Sequence, residues 1–421
     1  MIYSEENISK DLGERQAGND RTFADALVDA GSSGGDWIWG EGRCPTMGFY
    51  KEEAFGMKRL KILGWAVAIV LLGCESEQVG LSYSVEEEGP FNTGFLEWEV
   101  TYSPLEGGPE RKIPVLVWYP TEDDHVYSGE GVTTSPVYSS LFSDPDTIVS
   151  AAPAESVYND GYPVMAYSHG AQGVTGGVYR LARYFASHGW LTVAPGHVGD
   201  RLDDGATPYT LEQWIHRPLD IKAALDSLEG LLEGHPLYGL ANTDRVLVSG
   251  HSRGAYTTWA LAGAAYDGAE ISRRCDEGKF EGGCDEGVSR RLLAGFADPR
   301  VAATLPSAGN GHPEFFDGIG GRDHLGVPVF MMTASENDVG AAGLFSDIDT
   351  SPFWWWEIEG GCHELFNLGC GFSEDSEKFP LVTTFSLAFG RSEILGDESN
   401  RVQALLDGSE SLSELGELLM K

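Results

Sequence analysis

The sequence predicts an α/β fold with a mostly parallel central sheet and helices on both of its faces. Two observations carry this prediction. From about residue 160 onward, short apolar runs typical of buried strands alternate with longer helical stretches. One such run, at residues 246–248, leads through a Gly-x-Ser-x-Gly turn at 250–254 directly into a helical stretch. Strands separated by helices usually form a parallel sheet that is covered on both faces.

The leading segment differs from the rest of the chain. Residues 95–102 alternate between apolar and polar side chains, and residues 113–119 form a second strand-like run. We expect these two segments to be antiparallel strands at the start of the sheet. Residues 121–160 are rich in Ser, Pro, Asp and Gly, which predicts a long loop.

Strands and helices then alternate toward the C-terminus. The predicted strands are residues 162–167, 190–194, 245–249, 301–305, 327–332 and 354–358. The predicted helices are 178–188, 211–232, the stretch after the turn at 250–254, about 381–389 and the C-terminal segment. Ligands of such sheets bind beyond the carboxyl ends of the strands. Functional residues are therefore expected in the loops that follow strands.

The turn at residues 250–254 can expose a serine as a nucleophile. A sharp passage from strand to helix needs strained backbone angles, and a side chain at Gly250 or Gly254 would collide with the neighbouring backbone. The hydroxyl of Ser252 is then lifted out of the sheet. His251, inside the turn, is expected to pack beside the nucleophile. A plain structural turn is the alternative, because the pentapeptide also arises by chance.

A serine nucleophile needs a base, and the base needs a third group to hold it. For this topology the expected chain order is serine, acid, histidine. The strand at 327–332 leads to Asp338, and the strand at 354–358 leads to His363. Both loops leave the same edge of the sheet, so the side chains can converge. We predict Asp338 as the acid and His363 as the base.

Other residues compete for these roles. Glu336 is the nearest rival acid, and Asp347 is a more distant one. His312 and His324 are rival bases, but both precede the strand that leads to the predicted acid. They lie in polar loops, which is typical of surface histidines.

An oxyanion site needs two backbone N–H groups, one directly after the nucleophile and one from an earlier strand-end loop. The first is predicted to be the amide of Arg253. His169, Gly170 and Ala171 follow the strand at 162–167. Gly170 permits the backbone shape that aims the Ala171 amide inward. The alternative for His169 is an ordinary loop histidine.

Several sequence blocks point to a known family. Four of them are residues 162–170, 186–195, 217–220 and 250–254. Together they resemble the α/β-hydrolase fold and, within it, the group of platelet-activating-factor acetylhydrolases, predicted dienelactone hydrolases and chlorophyllases. The blocks that end at Asp338 and His363 are similar to the acid and base blocks of that group, and the resemblance covers about residues 95–405. True dienelactone hydrolases carry a cysteine at the position of Ser252, so lactone-ring chemistry is disfavoured.

The resemblance implies a serine hydrolase that cleaves carboxylic esters through an acyl-enzyme, without metal or organic cofactor. An amide or peptide hydrolase with the same triad and a catalytically silent binding lipoprotein are the alternatives. The formal net charge of −37 disfavours nucleic acid and anionic membrane surfaces as partners. A small-molecule or lipid-like ester is the expected substrate.

The N-terminal region predicts export. Residues 57–61 are basic, residues 62–72 are an uncharged apolar run that is short for a membrane span, and Cys74 follows. This ending resembles the lipobox of bacterial lipoproteins, which implies lipidation at Cys74 and anchoring in the cell envelope. A buried apolar helix is the alternative. Residues 1–56 are then an extension upstream of a true start at Met57.

The remaining boundaries follow from these features. Residues 57–74 are the predicted lipoprotein signal, 75–94 a flexible acidic tether and 95–421 the catalytic domain. Within that domain, residues 266–300 form an acidic, Gly-rich insert. It is either a lid over the site or a plain surface excursion.

Cysteine usage agrees with export. Cys275 with Cys284, and Cys362 with Cys370, are close pairs in Gly-rich segments, as in small disulfide-closed loops. A zinc site is the alternative, but the spacings match no common zinc motif. A disulfide between Cys362 and Cys370 would immobilise the loop that carries His363 and so pre-organise the base.

Overall fold

A ten-stranded sheet forms the centre of the described part of the chain in the computed structural model. The structure describes residues 78–421 apart from 125–134, 140–141, 310–311, 313–314, 317–319, 324, 337–340, 349–351 and 371–377. The sheet is mostly parallel and has helices on both faces, which confirms the predicted α/β fold class. The predicted N-terminal extension, signal segment and Cys74 lie outside the described residues.

Every strand and helix that the sequence predicts overlaps an element of the structure. The strands are β1 (Asn92–Tyr102), β2 (Arg111–Thr121), β3 (Val137–Ser139), β4 (Phe142–Ser143), β5 (Thr147–Val149), β6 (Tyr162–Ser168), β7 (Leu191–Pro195), β8 (Ala241–His251), β9 (Val301–Ser307), β10 (Val329–Ala334), β11 (Phe353–Ile358) and β12 (Leu418–Met420). The helices are α1 (Tyr179–Ser187), α2 (Leu211–Glu229), α3 (Arg253–Leu261), α4 (Gly268–Asp276), α5 (Glu286–Leu293), α6 (Ala341–Asp347), α7 (Phe379–Leu395) and α8 (Asn400–Leu406).

The strand order is β12-β11-β10-β9-β8-β6-β7-β2-β1-β5. Neighbours from β11 to β7 are parallel, whereas β2 pairs antiparallel with both β1 and β7. The carboxyl ends of β6, β8, β9, β10 and β11 therefore meet at one edge of the sheet. All of the loops with predicted site residues leave from that edge.

The core lies on both faces of the sheet. Every residue of β6 is buried, and successive side chains of a strand point to opposite faces. Met165 and Tyr167 accordingly pack into a cluster with apolar side chains of α1 and α7. Val164 and Ala166 pack into another cluster with side chains of α2. Burial on both faces explains why the parallel strands are apolar runs rather than alternating patterns.

A hydrogen bond at the position of Pro218 joins α2 to α3. Pro218 lies inside α2 and has no backbone N–H, so the carbonyl of Trp214 lacks its usual helical donor. The hydroxyl of Tyr256, in α3, donates to that carbonyl at 2.9 Å. The helix after the Ser252 turn is thereby tied to the helix that carries the block at 217–220.

Three segments differ from the sequence-based expectations, and a fourth had no predicted secondary structure. The predicted long loop at 121–160 contains the short strands β3, β4 and β5, and β5 pairs with β1. The C-terminal segment continues beyond the helix α8 into β12, which pairs with β11. The insert at 266–300, for which no secondary structure was predicted, forms two short helices, α4 and α5. Residues 78–91 of the predicted tether pack against the domain, where Val85 is buried and Arg391 donates to backbone carbonyls.

The short strands, β12 and the packing of residues 78–91 depend on distant partners rather than on local pattern. For β12, the backbone of Lys421 exchanges hydrogen bonds of 2.9 and 3.0 Å with that of Phe353.

Among the described residues, no helix is both long and apolar enough to cross a membrane.

Candidate active site

Ser252 occupies a strained position between β8 and α3. Its backbone has φ 55° and ψ −116°, in a region that residues with a side chain rarely adopt. A Cβ at Gly250 would lie 2.3 Å from the carbonyl oxygen of Gly254, and a Cβ at Gly254 would lie 1.9 Å from that of Ser168. Only glycine fits at these two positions, so the sequence pattern has a direct steric reason here.

The strand ends of β6 and β9 both contact the turn at Ser252. The Ser252 amide donates to the carbonyl of Ser307, at the end of β9, at 2.9 Å. A Cβ at Gly170, in the loop after β6, would lie 3.3 Å from the Cβ of Ser252. Gly309, after β9, approaches the Ser252 backbone just as closely. The structure therefore brings the predicted oxyanion loop against the predicted nucleophile.

His251 links the serine turn to the loop that carries His363. His251 is buried, and its Nε2 donates to the backbone carbonyl of His363 at 2.8 Å. The two imidazole rings are 4.9 Å apart between centroids. His363 begins a short 3-10 turn (His363–Phe366) after β11. The carbonyl oxygen can only accept, so this contact fixes the proton of His251 on Nε2.

The loops after β10 and β11 are joined by hydrogen bonds. The Ser335 amide donates to the Ile358 carbonyl at 3.1 Å, and the Gly360 amide donates to the Ser335 hydroxyl at 2.9 Å. The side chain of Glu336 is exposed. Asp338 lies outside the described residues, so its predicted role stays a prediction, although its loop starts beside the loop of His363.

The other rivals fall into two groups. His324 and the side chain of Asp347 lie outside the described residues. His312 was expected to be a surface histidine, but it is half-buried, with its ring 4.6 Å from that of Trp214 between centroids. His312 is therefore only partly at the surface, because its ring packs against the aromatic side chains of Trp214 and Phe315.

Glu364 is a carboxylate beside the predicted base that the sequence reasoning missed. The ligand atoms of His251, His363 and Glu364 lie within 4.8 Å of one another, and such a group could hold a metal ion. The Asn367 side-chain amide donates to Glu364 Oε2 at 3.3 Å. Its position directly after the histidine is the only signal for it in the local sequence.

A buried polar network lies beneath the loop at 169–171. The Ser168 hydroxyl is 2.8 Å from Nε2 of His197, and Nδ1 of His197 is 2.9 Å from Oδ2 of Asp220. All three residues are at most 1% exposed, so this serine, histidine and aspartate cannot reach a substrate. Asp220 also accepts from Arg111 at 2.7 and 2.8 Å. Burial lowers the pKa of His197 well below its usual value, which keeps the imidazole neutral.

His169 belongs to the same network. Its Nε2 accepts from the backbone amide of His197 at 3.0 Å, so its proton lies on Nδ1, which donates to the Gly170 carbonyl at 2.8 Å. Burial, together with the neighbouring His197, lowers the pKa of His169 well below 6.5. The expectation of an ordinary loop histidine does not fit these contacts. The side chain holds the backbone of its own loop.

The side chain of Arg253 lies against an aromatic wall formed by Tyr209 and Trp214. Its guanidinium lies 5.4 Å from the ring of Tyr209 and 5.2 Å from that of Trp214, and Nη1 donates to Asp200 at 2.8 Å. Its backbone N–H belongs to the first residue of α3 and has no partner within the helix. Such an amide is suited to bind an anion.

The insert at 266–300 packs against the same wall. Phe280 stacks on Tyr209 with 5.7 Å between ring centroids, and the Glu281 amide donates to the Tyr209 carbonyl at 2.8 Å. The insert thus lies next to the aromatic side chains that flank Arg253.

Both predicted disulfides are present. Cys275 is bonded to Cys284, and Cys362 is bonded to Cys370. The second one closes the segment that contains His363 and Glu364. Bonds of this kind are typical of proteins in oxidising compartments.

Part of the chain matches one known protein family. The chlorophyllase family model matches residues 127–272. No curated protein matches the chain. The matched segment contains the loop at 169–171 and the turn at 250–254, and it ends before Asp338 and His363. Over this segment the chain is similar to chlorophyllases, an α/β-hydrolase-like family, and this similarity suggests an ester hydrolase.

Proposed function

We propose that this protein is a serine hydrolase that cleaves carboxylic esters through an acyl-enzyme. The observation that carries the proposal is the strained backbone of Ser252 between β8 and α3. Strain of this kind persists only where the surrounding structure enforces it, and it is concentrated at functional sites. The similarity of residues 127–272 to chlorophyllases supports ester chemistry for the same segment.

In the proposed reaction, the Ser252 hydroxyl attacks the ester carbonyl while the imidazole of His363 accepts its proton. Asp338 orients the imidazole. The amides of Ala171 and Arg253 donate to the oxyanion of the tetrahedral intermediate. The alcohol leaves with the proton that the histidine returns, and water then hydrolyses the acyl-enzyme by the same route. These are all protein groups, so the proposed chemistry uses no metal or organic cofactor.

Two other functions would use or retain the same residues. An amide or peptide hydrolase needs the same nucleophile and base, and a silent binding protein could keep them without turnover. The similarity to chlorophyllases favours esters over amides. The strain at Ser252 favours an active enzyme over a silent domain, because an unused serine gives no reason to maintain it.

The test compares wild type with Ser252→Ala on p-nitrophenyl esters and p-nitroanilides of matched, graded acyl length. We expect wild type to hydrolyse esters and Ser252→Ala to lose about ten-thousandfold or more in kcat. A fluorophosphonate should label wild type but not Ser252→Ala. Ser272→Ala, at an exposed serine of α4, is the matched control and should be labelled. Turnover of anilides alone would contradict the ester proposal, and an unlabelled wild type would favour the silent domain.

We also propose that the protein is exported and lipidated at Cys74, with membrane contact only through that lipid. The two disulfides support an oxidising destination. Mass spectrometry of the native N-terminus provides the test. A lipidated Cys74 is the expected result, and a mature chain that begins with Met1 would contradict it.

A further inference from the structure

Arg217 is a buried cation that binds the backbone of the loop at 169–171. It is 1% exposed and lies in α2. Its Nη1 donates to the carbonyl of His169 at 2.5 Å, and its Nη2 donates to that of Gly170 at 2.9 Å. Nε and Nη2 also donate to Oδ2 of Asp200, at 2.9 and 2.6 Å. A buried charge is costly unless it is paired. Here the guanidinium is paired with Asp200 and also binds two successive carbonyls of one loop.

These bonds fix the orientation of one peptide plane. The Gly170 carbonyl accepts from three donors: Arg217 Nη2, His169 Nδ1 at 2.8 Å and the Gly173 amide at 3.2 Å. In a planar trans peptide the C=O of one residue and the N–H of the next point in opposite directions. The carbonyl is held on the Arg217 side, so the N–H of Ala171 must point to the other side.

The next peptide is held as well. The Gln172 amide donates to Oδ1 of Asp200 at 3.1 Å, and the other oxygen of that carboxylate binds Arg217 and Arg253. Burial alone would raise the pKa of Asp200, but Arg217 and Arg253 lower it below the usual value, so the carboxylate stays ionised. One carboxylate thus connects both chain segments whose amides are proposed to bind the oxyanion.

We infer that Arg217 is a positioning residue, which holds the Gly170–Ala171 peptide so that the Ala171 N–H stays available to an oxyanion at Ser252. A glycine lowers the barrier to rotating such a peptide, because no Cβ restricts its backbone. Without the guanidinium, the plane could turn and present a carbonyl instead of an amide. This inference rests on the proposed ester hydrolysis at Ser252.

Arg391 offers a matched control within the same domain. It is 2% exposed, its Nε donates to Asp397 at 2.7 Å, and its two other nitrogens donate to the carbonyls of Leu81 and Tyr83. It therefore has the same construction as Arg217: a buried guanidinium, a carboxylate and two backbone carbonyls. Its carbonyls belong to a segment outside the proposed site.

The test uses Arg217→Met, Arg217→Lys and Arg391→Met, each assayed on an ester and on the thionoester with the same acyl and leaving groups. Sulfur is a weak acceptor, so a thionoester gains little from oxyanion donors. We expect Arg217→Met to lose about 100-fold in kcat on the oxygen ester, with KM nearly unchanged. The thionoester rate should fall much less, so the ratio of the two rates drops at least about tenfold. Arg391→Met should keep the wild-type ratio.

Arg217→Lys keeps the charge but cannot reach two carbonyls and a carboxylate at once, so its ratio should also fall. If circular dichroism shows that Arg217→Met does not fold, the rate ratio of Arg217→Lys tests the inference in its place. An active wild type whose folded Arg217 variants keep the rate ratio would overturn this inference alone. A wild type without ester turnover would overturn the proposed function, and this inference with it.

Discussion

At the scale of single residues, the serine turn is the place where sequence pattern and geometry agree best. The two glycines of the pattern are the positions where a Cβ would lie 2.3 and 1.9 Å from backbone oxygens. Ser252 itself keeps a side chain at a positive φ. The positive φ costs of the order of 1–3 kcal/mol, and contacts with two neighbouring loops, after β6 and after β9, maintain it.

Substitution tests Asp338 as the proposed acid that orients His363. We expect Asp338→Asn to lower kcat about a thousandfold or more, because the imidazole would lose its orienting charge. Glu336→Gln should have little effect, since the Glu336 side chain is exposed. Ester hydrolysis by purified variants provides the measurement.

Glu364→Gln serves as the comparison for a carboxylate that lies beside the base but is not predicted to be the acid. It should lower kcat far less than Asp338→Asn does. The reverse ranking would show that the acid lies in the His363 loop itself and would contradict the order of serine, acid and histidine.

At the scale of elements, the loops that carry the proposed site residues are held by contacts with neighbouring elements. His251 donates to the His363 carbonyl, and the Ser335 and Gly360 contacts join the loops after β10 and β11. The loop at 169–171 is held by Arg217, by the Asp200 carboxylate and by its own His169. Each loop therefore has a partner from another element.

The two disulfides allow the effect of loop immobilisation to be separated from general stability. They close loops of similar size, with sequence separations of 9 and 8 residues. We expect removal of either pair, as Cys275→Ala/Cys284→Ala or Cys362→Ala/Cys370→Ala, to lower the free energy of unfolding by about 2–3 kcal/mol. Only loss of the second should lower kcat, by about tenfold, because it frees the loop that carries His363.

Denaturant titration and ester kinetics at a temperature where both double variants are folded provide the measurement. The first double variant is the control for loss of a disulfide far along the chain from His363. Equal kcat values in the two variants would refute a role of Cys362 and Cys370 in positioning the base.

At the scale of the whole molecule, this acidic chain buries two arginines, each in an ion pair with a buried aspartate. The formal net charge is −37, yet Arg217 and Arg391 are almost fully buried, each against a buried aspartate. Breaking a buried pair leaves an uncompensated charge, which typically costs 3–5 kcal/mol. These pairs are the points at which a single substitution should affect the domain most strongly.

Buried histidines should make the fold sensitive to mild acid. Burial lowers the pKa of His188 and of His216 to about 4, and those of His169 and His197 well below 6.5. Below pH 6.5 the unfolded chain binds protons that the folded chain does not, so the free energy of unfolding falls as the pH drops toward 4. Each such histidine contributes up to about 1.4 kcal/mol per pH unit in this range.

Urea titrations between pH 7.5 and pH 4.5 measure this slope. His188→Gln should reduce it, because a glutamine can still donate to the Glu87 carbonyl that His188 Nε2 contacts at 2.9 Å but cannot titrate. His235→Gln, at a partly exposed histidine, is the control. An unchanged slope in His188→Gln would contradict the assignment of acid sensitivity to that buried imidazole.

The sequence by itself determined the order of strands and helices, the serine turn and the paired cysteines. Each of these depends on residues close together in the chain: apolar runs of strand length, two glycines around one serine, and cysteines fewer than ten residues apart. The carboxyl-end rule for parallel sheets then put the predicted site residues in loops that leave one edge of the sheet.

Only the tertiary structure decided which distant side chains hold those loops. The contacts of Arg217 with the carbonyls at 169 and 170, the pairing of β12 with β11, and the packing of Phe280 on Tyr209 all join segments far apart in the chain. Such contacts depend on how whole elements pack and on which buried polar groups need partners. A local sequence pattern contains no information about either.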